Sequence, residues 1–81
     1  MEPIDRLKQC FVDALGISET TDFESLTYRG IEEWDSVAHM QLVGEIEMAF
    51  DVMLATDDVI EMQSFALARD IVARHGVEAQ A

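Results

Sequence analysis

Apolar side chains recur at helical spacing in three segments of the chain. The first covers residues 3–15, where Pro3 suits the first turn of a helix and Gly16 suits a C-terminal cap. In the second, residues 36–50, a helical wheel gathers one group of side chains within an arc of about 120°. That core-facing group is His39, Leu42, Val43, Ile46, Ala49 and Phe50.

The third segment, residues 65–75, begins after Ser64 as a capping residue and ends at Gly76. Its apolar face holds Phe65, Ala68, Ile71, Val72 and His75. The last residues, 77–81, are expected to be frayed. Between the second and third segments, residues 57–62 have room for only a turn or two of helix, and the acids at its start suit the helix dipole.

Residues 17–35 show no sustained period, and turn-forming side chains fill the run from Ser18 to Asp22. We expect a long loop, held down by apolar side chains. These are Phe23, Leu26, Tyr28, Ile31 and Trp34. Gly30 is expected to supply a turn conformation, and Trp34 to pack beside the next helix with its indole N–H near water. The fold class is therefore all-α: one domain, a small bundle of three main helices and one short helix.

A second face of the 36–50 helix carries apolar side chains that the core does not need. Within an arc of about 80° on the wheel lie Val37, Met40, Gly44 and Met48. Gln41 and Glu47 flank them. We expect this face to be exposed, as a docking surface rather than as a second core face, although a closely packed neighbour would also explain it.

Charge narrows the choice of partner. The chain has five Lys and Arg against 17 Asp and Glu, a net charge of −12. Such a surface repels nucleic acid and anionic membranes and attracts basic proteins, and it favours a monomer. No segment has the length of a membrane span or the pattern of a secretion signal, so we expect a cytoplasmic protein.

Metal and thiol chemistry find little support in the sequence. Cys10 is the one cysteine, which excludes an internal disulfide, and no His or Cys spacing suits zinc. We expect Cys10 to be a small buried or half-buried side chain rather than a reactive thiol. The carboxylates of Asp51, Asp57 and Asp58 lack the spacing of a calcium loop, so no metal is expected.

Asp35 and Ser36 stand where the loop ends and the second helix begins. Both residue types favour helix N-caps, and a serine hydroxyl there also suits the attachment of a phosphate group. Ser36 and His39 are three residues apart, as a nucleophile and its base could be. However, the wheel turns His39 toward the core and no Gly-rich turn offers an oxyanion hole, so we expect no enzyme.

Several short matches, in order and spacing, resemble the acyl carrier proteins. They are Trp34-Asp35-Ser36-Val37, Leu42-Val43, Ile46-Glu47, Phe50, Leu54 and Met62-x-Ser64-Phe65. The match covers about residues 34–76. The resemblance implies a four-helix bundle of acyl-carrier-protein type. It also implies that Ser36 carries 4′-phosphopantetheine through a phosphodiester and that acyl groups ride on this arm as thioesters.

The resemblance also assigns roles to other residues. A separate phosphopantetheinyl transferase would modify Ser36 and be recognised through Asp35. Loading ligases and synthases with basic docking surfaces would meet the face of Val37, Met40, Gly44 and Met48. An acidic rim would come from Glu47, Asp57, Asp58 and Glu61. An acyl pocket would be lined by Ile46, Leu54, Val59, Met62 and Ala68.

The chain departs from the carriers of fatty-acid synthesis at Gln41 and Met48, where those usually have acids, and at Gly44, where they usually have a larger apolar residue. We therefore expect a carrier for polyketide or another specialised biosynthesis. Two alternatives stay open: an aminoacyl carrier, and an acidic helical interaction domain without a prosthetic group, in which Ser36 merely caps a helix.

Overall fold

Four α-helices make up the regular structure of residues 3–75, the part of the chain that the computed structural model describes. They are α1 (Pro3–Leu15), α2 (Ser36–Phe50), α3 (Thr56–Glu61) and α4 (Phe65–Arg74). No strand occurs within this part of the chain. The prediction of a small all-α bundle is confirmed, with α3 one residue earlier than expected and α4 one residue shorter. The predictions for Gly76 and residues 77–81 lie outside the described residues.

Local chemistry fixes the helix ends. Gly16 follows α1 with φ of +68°, the left-handed conformation that glycine adopts most easily, and its N–H bonds the Val12 carbonyl at 2.9 Å. Ser64 caps α4 as predicted, because its hydroxyl accepts a hydrogen bond from the Leu67 N–H at 3.0 Å.

The core lies where α1, α2, α4 and the long loop meet. Its centre is a set of aromatic rings packed edge to face, with Phe11 5.3 Å from Trp34 and 5.1 Å from Phe65 between ring centroids. Phe23 reaches Phe65 from the loop at 5.3 Å. These contacts place the loop before α2 against the same core as the helices, which fixes the approach of the chain to Ser36.

On α2 the predicted core face is confirmed at the centre of the helix, whereas the residues near the two ends of the helix are less buried. Leu42, Val43 and Ile46 are buried, whereas His39, Ala49 and Phe50 are only partly buried. The prediction that Phe50 belongs to the buried core was therefore too strong, because this residue ends the helix and has neighbours on fewer sides.

The long loop is more ordered than its sequence suggests. It contains a 3₁₀ turn at Phe23–Ser25, which no periodicity predicted. Phe23 and Leu26 are buried. The backbone of the loop pairs with the residues around the start of α4: the Tyr28 N–H donates to the Gln63 carbonyl at 2.7 Å, and the Phe65 N–H donates to the Leu26 carbonyl at 3.3 Å. This pairing explains how a connection of such length stays ordered in a small domain.

Gly30 lies in a turn, as expected, although not in the left-handed conformation. The positive φ, 63°, belongs to Arg29, and Gly30 is needed for close approach instead. A Cβ on Gly30 would collide with the Thr27 hydroxyl and lie 3.1 Å from the Thr27 carbonyl oxygen, to which the Gly30 N–H bonds.

Two side chains were placed wrongly by the sequence. Trp34 is fully buried, and its indole N–H donates to His39 Nδ1 at 3.0 Å rather than lying near water. A buried indole N–H needs a protein partner, and His39 lies one turn into α2 to provide it. His75 follows the end of α4 and is not a core residue, because its Nε2 reaches the Asp58 carboxylate at 2.8 Å.

Candidate functional site

The start of α2 separates the capping residue from the candidate attachment residue. Asp35 is the N-cap, and its Oδ1 accepts a hydrogen bond from the Ala38 N–H at 2.9 Å. Ser36 is the first residue of the helix and is exposed. The interpretation of Ser36 as a cap is therefore wrong, since Asp35 already fills that role. The Ser36 hydroxyl remains accessible from solvent.

Two neighbours of Ser36 were not singled out by the sequence. The Tyr28 ring packs against His39 at 5.1 Å and the edge of Trp34 at 6.2 Å, which places it beside the first turn of α2. The Arg29 guanidinium carbon lies 5.7 Å from the Tyr28 ring centroid. The neighbouring Arg29 guanidinium, and secondarily the Ser36 hydroxyl, hold the pKa of the Tyr28 phenol below its usual value.

His39 does not act as a base toward Ser36 in this arrangement. Its Nδ1 accepts from Trp34 Nε1, so its Nε2 carries the proton and donates to the Val59 carbonyl at 2.8 Å. Both ring nitrogens are therefore engaged within the fold, and His39 joins the loop before α2 to α3. The helical wheel correctly predicted that His39 faces inward, but nothing in the sequence indicated its hydrogen bonds with Trp34 and Val59.

The second face of α2 is exposed, as the helical wheel predicts. Val37 is 69% exposed, Met40 60% and Met48 75%. A side chain at Gly44 would meet open space, so this position leaves the face flat. The role of the face in docking stays a prediction.

The sequence analysis did not predict two further exposed apolar side chains. Met53, in the loop after α2, is 84% exposed, and Ile60 on α3 is 62% exposed. Their signal was only their type, since a short loop and a six-residue helix give no reliable period.

Three of the four acids predicted for the rim have partners within the fold. Glu47 Oε2 accepts from the Leu54 N–H at 2.9 Å and so braces the loop after α2. Glu61 pairs with Arg74 at 2.8 Å. The His75 contact, with help from the Ala55 N–H, lowers the pKa of Asp58. Asp57 is exposed.

The residues predicted to line an acyl pocket belong to one packed core. Ile46, Met62 and Ala68 are fully buried, Leu54 nearly so, and Val59 is half-buried against them. Because the buried members are shielded from solvent, a cargo chain could reach them only by passing between surface side chains. Their proposed contact with cargo stays a prediction.

Cys10 is buried at 3% exposure, with its sulfur 3.6 Å from the Glu45 carbonyl oxygen. Burial, reinforced by the charges of Glu45 and Asp13, raises the pKa of this thiol from 9.0 to about 11. The prediction of a buried, unreactive cysteine agrees with this environment.

Metal and membrane chemistry are not prominent in the described part of the chain. Across residues 3–75, no three His, Cys, Asp or Glu side chains come together in a way that could hold a metal ion. None of the helices in that range is both long and apolar enough to span a bilayer.

Comparison with known proteins adds no relative: no family model matches the chain, and no curated protein or solved structure matches it either. The function therefore has to be argued from the residues and their geometry.

Proposed function

We propose that this protein is an acyl carrier that bears 4′-phosphopantetheine on Ser36. The observation that carries the proposal is that two different residues at the start of α2 provide the helix cap and the exposed hydroxyl. Asp35 supplies the cap, which leaves the Ser36 hydroxyl exposed and without a structural task at the helix end. The resemblance of the surrounding sequence to acyl carrier proteins supports the same function.

The residues around Ser36 fit a phosphodiester. Ser36 offers the oxygen that forms the bond, and Tyr28 and Arg29 are donors of the kind that phosphate oxygens accept. The transfer would join the Ser36 oxygen to the pantetheine phosphate of coenzyme A with loss of adenosine 3′,5′-bisphosphate. The Ser36 proton would pass to a base of the transferase, since His39 is engaged elsewhere. The bound arm supplies a terminal thiol that holds acyl groups as thioesters.

Specialised biosynthesis, such as polyketide assembly, is the proposed setting. On the exposed side of α2, Gln41 and Met48 stand where carriers of fatty-acid synthesis usually have acids. Its partners would be the transferase, loading ligases and synthases with basic docking surfaces. In this proposal the carrier is a cytoplasmic monomer. An aminoacyl cargo remains the alternative within the same chemistry.

A second candidate function is an acidic interaction domain without a prosthetic group. The observation in its favour is that Val37, Met40 and Met48 are exposed on one helix whether or not Ser36 is modified.

Intact mass spectrometry separates the two candidates. The purified protein is incubated with coenzyme A and a phosphopantetheinyl transferase of broad specificity. We expect every molecule to gain the mass of one 4′-phosphopantetheine. A folded protein that gains no mass with several such transferases would favour the interaction domain.

Thiol counting gives a prediction for the loaded protein. Because the pKa of Cys10 is about 11 instead of 9.0, its thiolate fraction near pH 8 falls about 100-fold, and burial slows it further. We expect one fast-reacting thiol after loading and none before it, measured with a chromogenic disulfide. A fast thiol in the unloaded protein would show that Cys10 is accessible.

The same raised pKa has a consequence for stability. A thiol with a higher pKa in the folded state stabilises the fold fully below its unfolded pKa near 9.0. This stabilisation is lost as the pH rises from that value through about 11.

Docking on α2 predicts two kinds of kinetic change. Met40→Ala and Met48→Ala remove apolar contact area and should mainly speed dissociation from the transferase. Asp57→Asn, at an exposed acid without a structural bond to lose, should mainly slow association and flatten its salt dependence. Surface-bound kinetics at several salt concentrations measure both. If the methionine variants change association alone, the α2 face is not the docking surface.

A further inference from the structure

The turn of residues 27–34 folds back onto the start of α2. The Arg29 N–H donates to the Trp34 carbonyl at 3.0 Å, so the Arg29 backbone lies beside the residues that immediately precede Ser36. An open groove of about 340 Å³ follows this turn, lined by Arg29, Gly30, Ile31, Glu32, Trp34 and Asp35. Arg29 therefore contacts the segment that leads directly into Ser36, although seven positions separate Arg29 from Ser36 in sequence.

Tyr28 is held firmly beside that groove. Its N–H is bonded to the Gln63 carbonyl at 2.7 Å, and its ring packs on His39 and against Trp34. His39 is itself fixed at both ring nitrogens. The phenol is thus positioned by buried Trp34 and partly buried His39, while the Tyr28 side chain remains partly exposed.

Arg29 differs from the other arginines of the chain in what it contacts. Arg69 pairs with Glu24 at 3.2 Å, Arg74 pairs with Glu61 at 2.8 Å, and Arg6 bonds the Ala49 carbonyl at 3.2 Å. The guanidinium of Arg29 faces the Tyr28 ring instead. A cation kept beside a hydroxyl donor, in a chain with a net charge of −12, suits an anion that is brought to this place.

We propose that the Arg29 guanidinium and the Tyr28 hydroxyl together bind the phosphodiester that joins the arm to Ser36. This inference rests on the proposed function and adds a positioning role for the turn before α2. Arg29 holds the root of the arm against the turn of residues 27–34 and offsets the repulsion between the new phosphate charge and the carboxylates of Glu32 and Asp35. A role of Arg29 confined to bracing Tyr28 is the competing explanation.

The experiment compares loaded proteins by ³¹P NMR. The natural sequence, Arg29→Gln and Tyr28→Phe are loaded from coenzyme A and checked by intact mass. Arg69→Gln is the matched control, because it removes the same charge from a pair with Glu24 on the 3₁₀ turn at Phe23–Ser25. We expect the phosphodiester signal to move in Arg29→Gln and Tyr28→Phe and to stay in place in Arg69→Gln. Raising the salt from about 0.1 M to about 1 M should move the natural signal toward that of Arg29→Gln, because screening lengths shrink from about 10 Å to about 3 Å.

The pKa of Tyr28, the single tyrosine of the sequence, provides a second readout that does not use the phosphorus signal. In the unloaded protein the neighbouring Arg29 guanidinium holds the pKa of this phenol below its usual value. Loading places a negative charge beside the phenol and engages the guanidinium, so the pKa of Tyr28 should rise on loading. In Arg29→Gln the pKa should already be higher before loading. Ultraviolet titration of the loaded and unloaded forms measures both shifts.

The outcomes distinguish this inference from the function on which it rests. If the natural protein is loaded but Arg29→Gln and Arg69→Gln give the same ³¹P signal, the proposed binding of the phosphodiester by Arg29 and Tyr28 is overturned and the carrier function stands. If no arm is gained at all, both fall. If Arg29→Gln cannot be loaded, the ³¹P signal of Tyr28→Phe decides: a shift from the natural signal supports the binding of the phosphodiester by these residues, and an unchanged signal overturns it.

Discussion

A Ser36→Ala protein is expected to gain no arm and to keep its fold. Removing the hydroxyl removes the only oxygen to which the proposed phosphodiester can be attached, so loading should be lost completely rather than slowed. Stability should change by no more than about 0.5 kcal/mol, because the residue is exposed and Asp35 keeps the capping hydrogen bond with Ala38. Intact mass and thermal unfolding of the same sample measure the two effects.

Ser64→Ala is the matched control for this variant. Ser64 does cap a helix, so its loss should cost about 0.5–2 kcal/mol of unfolding free energy while the arm is still gained. Ser36→Ala should therefore lose loading and keep its stability, whereas Ser64→Ala should lose stability and keep loading. An arm on the Ser36→Ala protein would place the modification elsewhere and end the proposal for Ser36.

Helix positions could be predicted from this sequence because periodicity reports burial directly. The apolar face of α2 was recognised from spacing alone, and Leu42 and Ile46 lie fully buried on it. The exposed face with Met40 and Met48 was recognised by the same reasoning. Periodicity is weakest where a helix has one turn or none, which is why the 3₁₀ turn at Phe23–Ser25 was missed.

The identity of the helix cap could not be decided by the same means. Asp35 and Ser36 are adjacent, both residue types cap helices, and a shift of one residue in the helix start exchanges their roles. Only the geometry shows that Asp35 accepts the Ala38 N–H and that Ser36 lies inside the helix. Ser36 is therefore not the cap, whereas the attachment of an arm to it stays a prediction.

Contacts between distant segments were beyond reach of the sequence. Nothing in the spacing of His39 indicates that it joins Trp34 to the Val59 carbonyl. Likewise, Arg29 became a neighbour of the candidate site only through a turn that closes on the Trp34 carbonyl. Such contacts depend on how separate elements pack, and no local pattern encodes them. Glu47 is an example: its sequence position predicts a surface acid free to meet a partner, but its carboxylate accepts a hydrogen bond from the Leu54 N–H.

Trp34→Ala is expected to be the most damaging single substitution of the packing around the site. The side chain is fully buried and packs on Phe11 at 5.3 Å, so its removal should cost about 3–5 kcal/mol. A domain of 81 residues is expected to have only about 4–12 kcal/mol of stability in total. We therefore expect the variant to lose a large part of its stability, and all of it if the natural protein lies at the low end of that range, as measured by chemical denaturation and by the loss of peak dispersion in NMR spectra.

Two further variants divide this cost into its parts. Trp34→Phe keeps an aromatic ring but removes the N–H that His39 Nδ1 accepts, so its cost, about 1–3 kcal/mol, reports mainly the buried hydrogen bond and the smaller ring. Phe50→Ala removes a large aromatic side chain that is only partly buried, and it should cost less than Trp34→Ala. If Trp34→Ala unfolds within about 1 kcal/mol of the natural protein, the packing of the loop against Phe11 and His39 is wrong. The placement of Tyr28 and Arg29 beside Ser36 would then be wrong too, because both depend on that loop.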